Sequence, residues 1–375
     1  MGDPTDGQPA PDAVAAPGGA AGAGGAAGPH ADPHAGLVLR RAGRDDEADL
    51  LALNAEAFEA NPKARADMAA WQWWDNPFGE TLIWVWHDGQ RVIAQYVAYC
   101  VPGVLDGRPA TLTCGVDAAV APAYQGRRLF SPLSRALYDD CNAHDRPLLA
   151  FPNAASIGGI RRAGWVEVAR QRFCVLPLDD GFLAARLHLP TIMARAARAV
   201  AFRHGATAGL RADVVAGPPP GLAELWSEVA PTVRYGVARG APWWDWRYDA
   251  HPDSPYQYLE VRSGGRLRAA AAARVREEMG GRFHCLLEFL AADAASAAAL
   301  VRAIGEGALG PADGAVLETT PGSRLDRQAV VAGFRRLPVR FEPRAAYFGV
   351  VPHPELVPDP AAVPWSTAWG DLDSI

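Results

Sequence analysis

Residues 111–130, TLTCGVDAAVAPAYQGRRLF, read as a strand, a turn and the start of a helix. An apolar run ends at Pro122, a turn containing Gly126, Arg127 and Arg128 follows, and Leu129 begins a helical pattern carrying Leu133, Leu137 and Tyr138. The first turn of a helix leaves backbone N–H groups unpaired at the positive end of its dipole, so such a turn can hold a phosphate where the backbone comes close. A companion stretch, 148–156 (LLAFPNAAS), offers a second short strand that stops at Pro152-Asn153.

On the N-terminal side stand a short strand at 37–39 and a helix entered through Asp45, Asp46 and Glu47. Strands at 82–86, at 92–101 and from 110 onward follow, joined by the turns Asp88-Gly89 and Asp106-Gly107. On the C-terminal side a brief helix ends at Gly164 as a C-cap would. Runs at 166–169 and 172–178 are expected to close a first unit over 36–178. Residues 179–220 form a helical connector in which Arg186, Arg195, Arg198 and Arg203 alternate with apolar residues. It is expected to bridge both units, with docking on an acidic membrane surface as the alternative.

The second half repeats the first. WQWWDNP from Trp71 returns as WRYDAHP from Trp246, so Trp71 maps onto Trp246, Trp73 onto Tyr248 and Pro77 onto Pro252, and the same offset carries Gly89 onto Gly264. Such a register over a whole hairpin reads as an internal duplication. In the copy, a strand at 285–290 and a helix at 294–304 are joined only by Ala291-Ala292-Asp293, without a Gly-rich turn. Runs at 316–320, 339–341 and 347–351 are expected as the strands that finish the copy over 221–352, with 353–375 as a C-terminal extension. The expected fold is mixed α/β (α+β): two tandem units, each a mostly antiparallel mixed sheet flanked by helices.

A chain of 375 residues with 49% hydrophobic and 21% charged residues suits two globular units. Its net charge of −6 argues against nucleic acid or an anionic membrane as a partner of the whole surface. Residues 1–35, rich in Ala, Gly and Pro, are expected to be a disordered tail, and His30 and His34 within it, flanked by Pro29 and Pro33, make a poor metal site. The five cysteines are scattered without a C-x-x-C pair, so neither zinc nor a disulfide framework is expected and a cytoplasmic location fits. No apolar run reaches a membrane-spanning length of about 18 residues.

The order of elements, with V-x-P-x-Y-Q-G at 120–126, F-P-N-x-x-S at 151–156 and Gly164-Trp165 after the short helix, resembles the GNAT acyltransferase superfamily. More narrowly it is similar to double-domain GNAT proteins with an active-looking first half and a degenerate second, as are the W-R-Y-x-x-H-P segment and the closing Trp369-Gly370-Asp371-Leu372-Asp373. The resemblance implies an N-acyltransferase, expected to move an acetyl group from acetyl-CoA, or another acyl-CoA, to an amine of a small molecule or aminosugar. The alternative is a noncatalytic acyl-CoA-binding or scaffolding protein. Transfer of an aminoacyl group from tRNA is a third possibility, disfavoured by the acidic charge.

The resemblance also assigns residues. Backbone groups of Ala118, Ala119 and Val120 would pair with the pantetheine arm or stabilise an oxyanion, and amides of Gln125, Gly126, Arg127, Arg128, Leu129 and Phe130 would face the pyrophosphate. Asp117 is the candidate general base, or else merely ends the strand. Asn153 and Ser156 could hydrogen-bond the pantetheine, the acceptor or the leaving thiol, or Asn153 could simply cap the short helix. Arg128 and Phe130 stand where the superfamily has Gly or Ala, and Ile160 where many relatives place a tyrosine acid. The Trp clusters at 71–74 and 243–246 would stack on a sugar or build the core. Arg239 and Arg247 would bind an acidic acceptor or pair with Asp245 or Asp249, and Glu288 and Glu318 would lie on an exposed strand face or line a cleft.

Overall fold

The computed structural model describes residues 34–58, 62–203, 205–253 and 256–372, so the expected tail lies almost wholly outside the described residues. The first half runs β1 (Val38–Arg41), α1 (Glu47–Ala57), α2 (Ala66–Ala69), β2 (Leu82–His87), β3 (Val92–Leu105), β4 (Arg108–Val120), α3 (Phe130–Ala143), β5 (Leu148–Ala150), α4 (Ile157–Ala163), β6 (Val166–Arg170) and β7 (Arg172–Pro177). Helices α5 (Asp180–Leu187) and α6 (Thr191–Ala201) connect it to the second half. That half runs β8 (Ala212–Val215), α7 (Leu222–Val229), β9 (Tyr235–Val237), α8 (Ala241–Trp244), β10 (Gln257–Ser263), β11 (Arg266–Glu278), β12 (Gly281–Ala291), α9 (Ala294–Gly305), β13 (Gly314–Thr319), α10 (Arg324–Ala332), β14 (Arg335–Arg336), β15 (Tyr347–Val350) and β16 (Trp365–Ser366).

Strand β3 shows why the sheet sits where it does. Alternate side chains of a strand point to opposite faces. Val97, Tyr99 and Val101 enter the large core shared with the second half, while Tyr96 and Ala98 pack under α3 with Leu133, Leu137 and Tyr138. Both faces are covered, so the strand is apolar nearly throughout.

The first sheet has the order β1-β2-β3-β4-β5-β15-β6, and the second, read from its other edge, β8-β10-β11-β12-β13-β7-β14. The two orders match position for position, and in each the place next to last is held by a strand from the other half. β7 pairs with β13 in the second sheet, whereas β15 lies between β5 and β6 in the first. The sequence expectation that 172–178 closes the first unit and 347–351 the second is corrected by this exchange. Strand pattern alone says nothing about which sheet a strand joins. The expected strand at 339–341 is instead a 3-10 turn, Val339–Phe341, entered from Pro338, which has no N–H to give a ladder.

The duplication closes on itself at its most distinctive residue. Trp71 and Trp246 stack with ring centroids 4.8 Å apart, and each indole donates to the other's backbone carbonyl, at 2.9 and 3.3 Å. Equivalent residues meeting reciprocally mark a pseudo-two-fold axis between the halves. Both Trp clusters are therefore core, and Arg247 is buried against Trp71 and Tyr248. The connector departs from the bridge expectation. Phe182 of α5 packs on Phe283 and Gly281 of the second half, while Ile192, Met193 and Val200 of α6 stay exposed. No described helix is long and apolar enough to cross a membrane.

Candidate active site

The site forms where β4 loses its neighbours. Along the β3–β4 ladder Gln95 faces Ala119 and Val97 faces Val116, so Asp117 and Ala118 together oppose Tyr96 in a β-bulge. Asp117 takes a φ of +50°, in the left-handed region that Asp tolerates better than most side chains. On its other side β4 pairs in parallel with β5 only from Thr113↔Leu148 to Gly115↔Ala150. β5 ends there and β4 continues to Val120, so the strands part and leave a slot. Gly115 is required at the fork, because a Cβ there would lie 2.7 Å from the Tyr96 hydroxyl.

The bulge turns Asp117 into the protein. Its side chain is 1% exposed, and the Lys63 ammonium donates to Oδ1 at 2.7 Å. Oδ2 is buried and has no hydrogen-bond partner among the described residues. Lys63 was missed from the sequence motifs, although composition carries a signal: it is the single lysine in a chain with 35 arginines. Its backbone is fixed through a buried amide chain. Gln95, opposite the bulge, donates to Asn54 at 2.8 Å, and Asn54 donates to the Lys63 carbonyl at 3.2 Å.

Past Val120 the chain makes a 3-10 turn, Pro122–Tyr124, pinned to the β2–β3 hairpin by the Tyr124 hydroxyl donating to Asp88 at 2.6 Å. That hydrogen bond, with the amides of Arg91 and Gln90, holds the Asp88 carboxyl down to about 2. Gly126 and Arg128 both take left-handed φ, +80° and +60°. Arg127 lies over the Tyr124 ring, and Arg128 is exposed. The first turn of α3 has no side-chain cap, because Leu129 stands at the N-cap. Its amides therefore remain available to an anion.

The remaining sequence candidates sit on α4. Asn153 Oδ1 accepts from the amides of Ala155 and Ser156 at 3.0 Å each and from the Ser156 hydroxyl at 3.1 Å, so this oxygen organises the helix entry. Ile160 is buried under α3, and Phe130 packs on Gly159, where a Cβ would run into its ring.

The second half closes the same places. Each short helix ends at a left-handed glycine, Gly164 with φ 114° and Gly333 with φ 137°, followed by a buried aromatic. Aligned there, Gly159 matches Gln328, Ala155 matches Arg324 and Leu149 matches Glu318. Gln328 donates to the Ala291 carbonyl at 3.2 Å, and Arg324 binds the Ala291 and Ala292 carbonyls. Thr319 bridges to Ala368, so the C-terminal segment lies in the gap beside β13. The α9 start is already capped by the Asp293 carboxylate, which accepts from the Ser296 amide at 2.8 Å.

Arg239 and Arg247 do not pair with Asp245 or Asp249. Arg239 bridges Glu288 and Asp371, and Arg247 donates to the carbonyls of Gly370 and Leu372. Glu288 and Glu318 are buried, not exposed. Trp243 and Tyr248 also donate to Glu288, and Glu318, raised to about 7 chiefly by burial, accepts from Arg344 at 3.0 Å. The five cysteines are free and buried.

Residues 38–168 match a family model described as an acetyltransferase (GNAT) domain. That stretch is therefore similar to GNAT acetyltransferase domains. No curated protein sequence matches it. Among solved structures it is similar to a conserved protein of unknown function from Enterococcus faecalis, described as a probable N-acyltransferase, with 13% identity, 86% of this chain and 73% of that one covered, and a TM-score of 0.61. A GCN5-related N-acetyltransferase from Anabaena variabilis gives 10% identity, coverages of 84% and 72%, and a TM-score of 0.61. Eis1 from Mycobacterium abscessus gives 15%, 84%, 73% and 0.52. These likenesses extend over both halves and show a shared GNAT fold.

Proposed function

We propose that the chain is an acyl-CoA-dependent N-acyltransferase that moves an acetyl group to the amine of a small molecule or aminosugar. The observation that carries this reading is the fork beyond Gly115 and Ala150, with the bulge that buries a carboxylate oxygen on the same strand and the uncapped helix start that follows it. The thioester supplies an acyl carbon already activated for attack. The backbone of Ala118, Ala119 and Val120 would align the pantetheine arm, and the amides of residues 125–130 with Arg127 would take the pyrophosphate. As the amine nitrogen bonds to the acyl carbon and the C–S bond breaks, Asp117 Oδ2 accepts the amine proton. Ile160 has no proton to give. The reaction tolerates this because thiols, with an ordinary pKa near 8.5, leave readily as thiolates.

Calorimetric titration of the purified chain with acetyl-CoA tests the donor, and saturable binding at one site per chain is the expected result. Absence of saturable binding would remove the enzyme reading in favour of a scaffold. A screen of primary amines and aminosugars by mass spectrometry, looking for a gain of one acetyl group, then identifies the acceptor.

A further inference from the structure

Arginine fills every other basic position in the chain, yet the residue paired with Asp117 is a lysine. The chemistry of the two cations explains the exception. A guanidinium offers several N–H donors in a planar fork that matches both oxygens of a carboxylate, whereas an ammonium is a point donor that can satisfy one oxygen and leave the other. The protein uses the fork elsewhere. Arg40 takes both oxygens of Asp46 and Arg336 both of Asp326, each with two nitrogens. At Asp117 only Oδ1 is taken among the described residues.

We propose that Lys63 is the positioning residue of the proton-accepting carboxylate: it holds Asp117 through Oδ1 and so leaves Oδ2 unpaired for the proton of the acceptor amine. The inference rests on the acyltransferase reading for the identity of that amine. The geometry behind it is independent of the reaction. The 3-10 turn Pro62–Ala64 carries Lys63, Asn54 on α1 fixes its carbonyl, and Gln95 fixes Asn54 from the strand opposite the bulge. Lys63 thus moves with the bulge it serves. Among the described residues, other charged and titratable groups on this side include Tyr99, Arg247 and Asp371, which meet β4 at Cys114, where the Asp371 carbonyl accepts from the thiol. Arg247 and Asp371 are engaged in the contacts of the C-terminal segment, so Lys63 is the cation that faces Asp117 directly.

A single lysine gives a single side-chain ¹⁵N signal in the full-length protein grown on ¹⁵N-lysine. That signal should shift in Asp117→Asn, and methylammonium, used as an amine probe, should shift it further in the wild type but not in Asp117→Asn. A signal unmoved by Asp117→Asn would overturn the pairing. In turnover with an amine found by the screen, Lys63→Arg keeps the charge but closes Oδ2. It should lower kcat at least tenfold while the KM for acetyl-CoA stays within about twofold. A Lys63→Arg variant with wild-type kcat would overturn the proposal while leaving the acyltransferase reading intact. If the chain binds no acetyl-CoA, that reading fails by itself and the methylammonium titration decides the role of Lys63.

Discussion

The two halves share a seven-strand order, to which the first sheet adds β9 and β16, and their chemistry parts at the fork between the fourth and fifth strand positions. In the first half small residues, Gly159 and Ala155, stand where the second half has Gln328 and Arg324, the α3 start is uncapped, and among the described residues Asp117 Oδ2 has no partner. In the second half Gln328 and Arg324 reach the end of β12, the C-terminal segment bridges to β13, and Asp293 puts a negative charge on the helix start. Scaffold and chemistry are thus separable. The same sheet persists whether the fork is kept open or filled, and what distinguishes the first half is the uncapped start of α3 together with small residues where the second half has Gln328 and Arg324.

Four substitutions would break or sharpen that contrast. Asp117→Asn removes the proposed base and should lower kcat by about 10²–10⁴, with acetyl-CoA affinity little changed, measured by steady-state kinetics and calorimetry. Equal loss in both measurements would instead make Asp117 a structural residue.

Next in size is Glu318, the buried counterpart of Leu149, whose pKa is raised from 4.5 to about 7 mainly by burial. A carboxyl raised in this way binds its proton more tightly when folded. Folding stability should therefore fall as pH rises through the window from about 4.5 to about 7, and the loss is complete above it. Glu318→Gln removes this component. Relative to the variant, the wild type should lose up to about 3 kcal/mol across that window, read from urea unfolding at several pH values.

Gly159→Gln copies the plug of the second half into the first. The new side chain meets Phe130, so a cost of about 1–3 kcal/mol in stability is expected from overpacking, along with at least tenfold weaker acetyl-CoA binding. Gly159→Ala controls for the packing cost alone. The smallest effect belongs to Arg128→Gly. It relieves a side chain held at φ +60° and should change stability by no more than about 1 kcal/mol in thermal unfolding. Because Arg128 is exposed, acetyl-CoA affinity should stay within about threefold.

Much of this was legible in the sequence. Alternating apolar residues located the strands, and the Trp71–Trp246 register revealed the duplication that the stacked indoles seal. Element type depends on neighbours a few residues away, which a sequence displays. Sheet membership of 172–177 and 347–350 depends on partners more than a hundred residues distant, and it was not readable. The state of Glu288, Arg239 and Arg247 likewise follows from burial against the C-terminal segment, which no local pattern encodes. Lys63 lay between these cases. It belongs to no motif, but a lone lysine among arginines was visible in composition before any coordinate placed it beside Asp117.

The exchange of β7 and β15 also sets a timetable for synthesis. The first half cannot complete its sheet until residues 347–350 exist, because that strand holds β6 to β5. At typical synthesis rates the wait after residue 170 is roughly ten to thirty seconds, during which the edges of β5 and β6 stay bare. A ribosome-bound fragment ending before residue 347 should accordingly be a ready client for chaperones, and neither half should survive as a separately expressed domain.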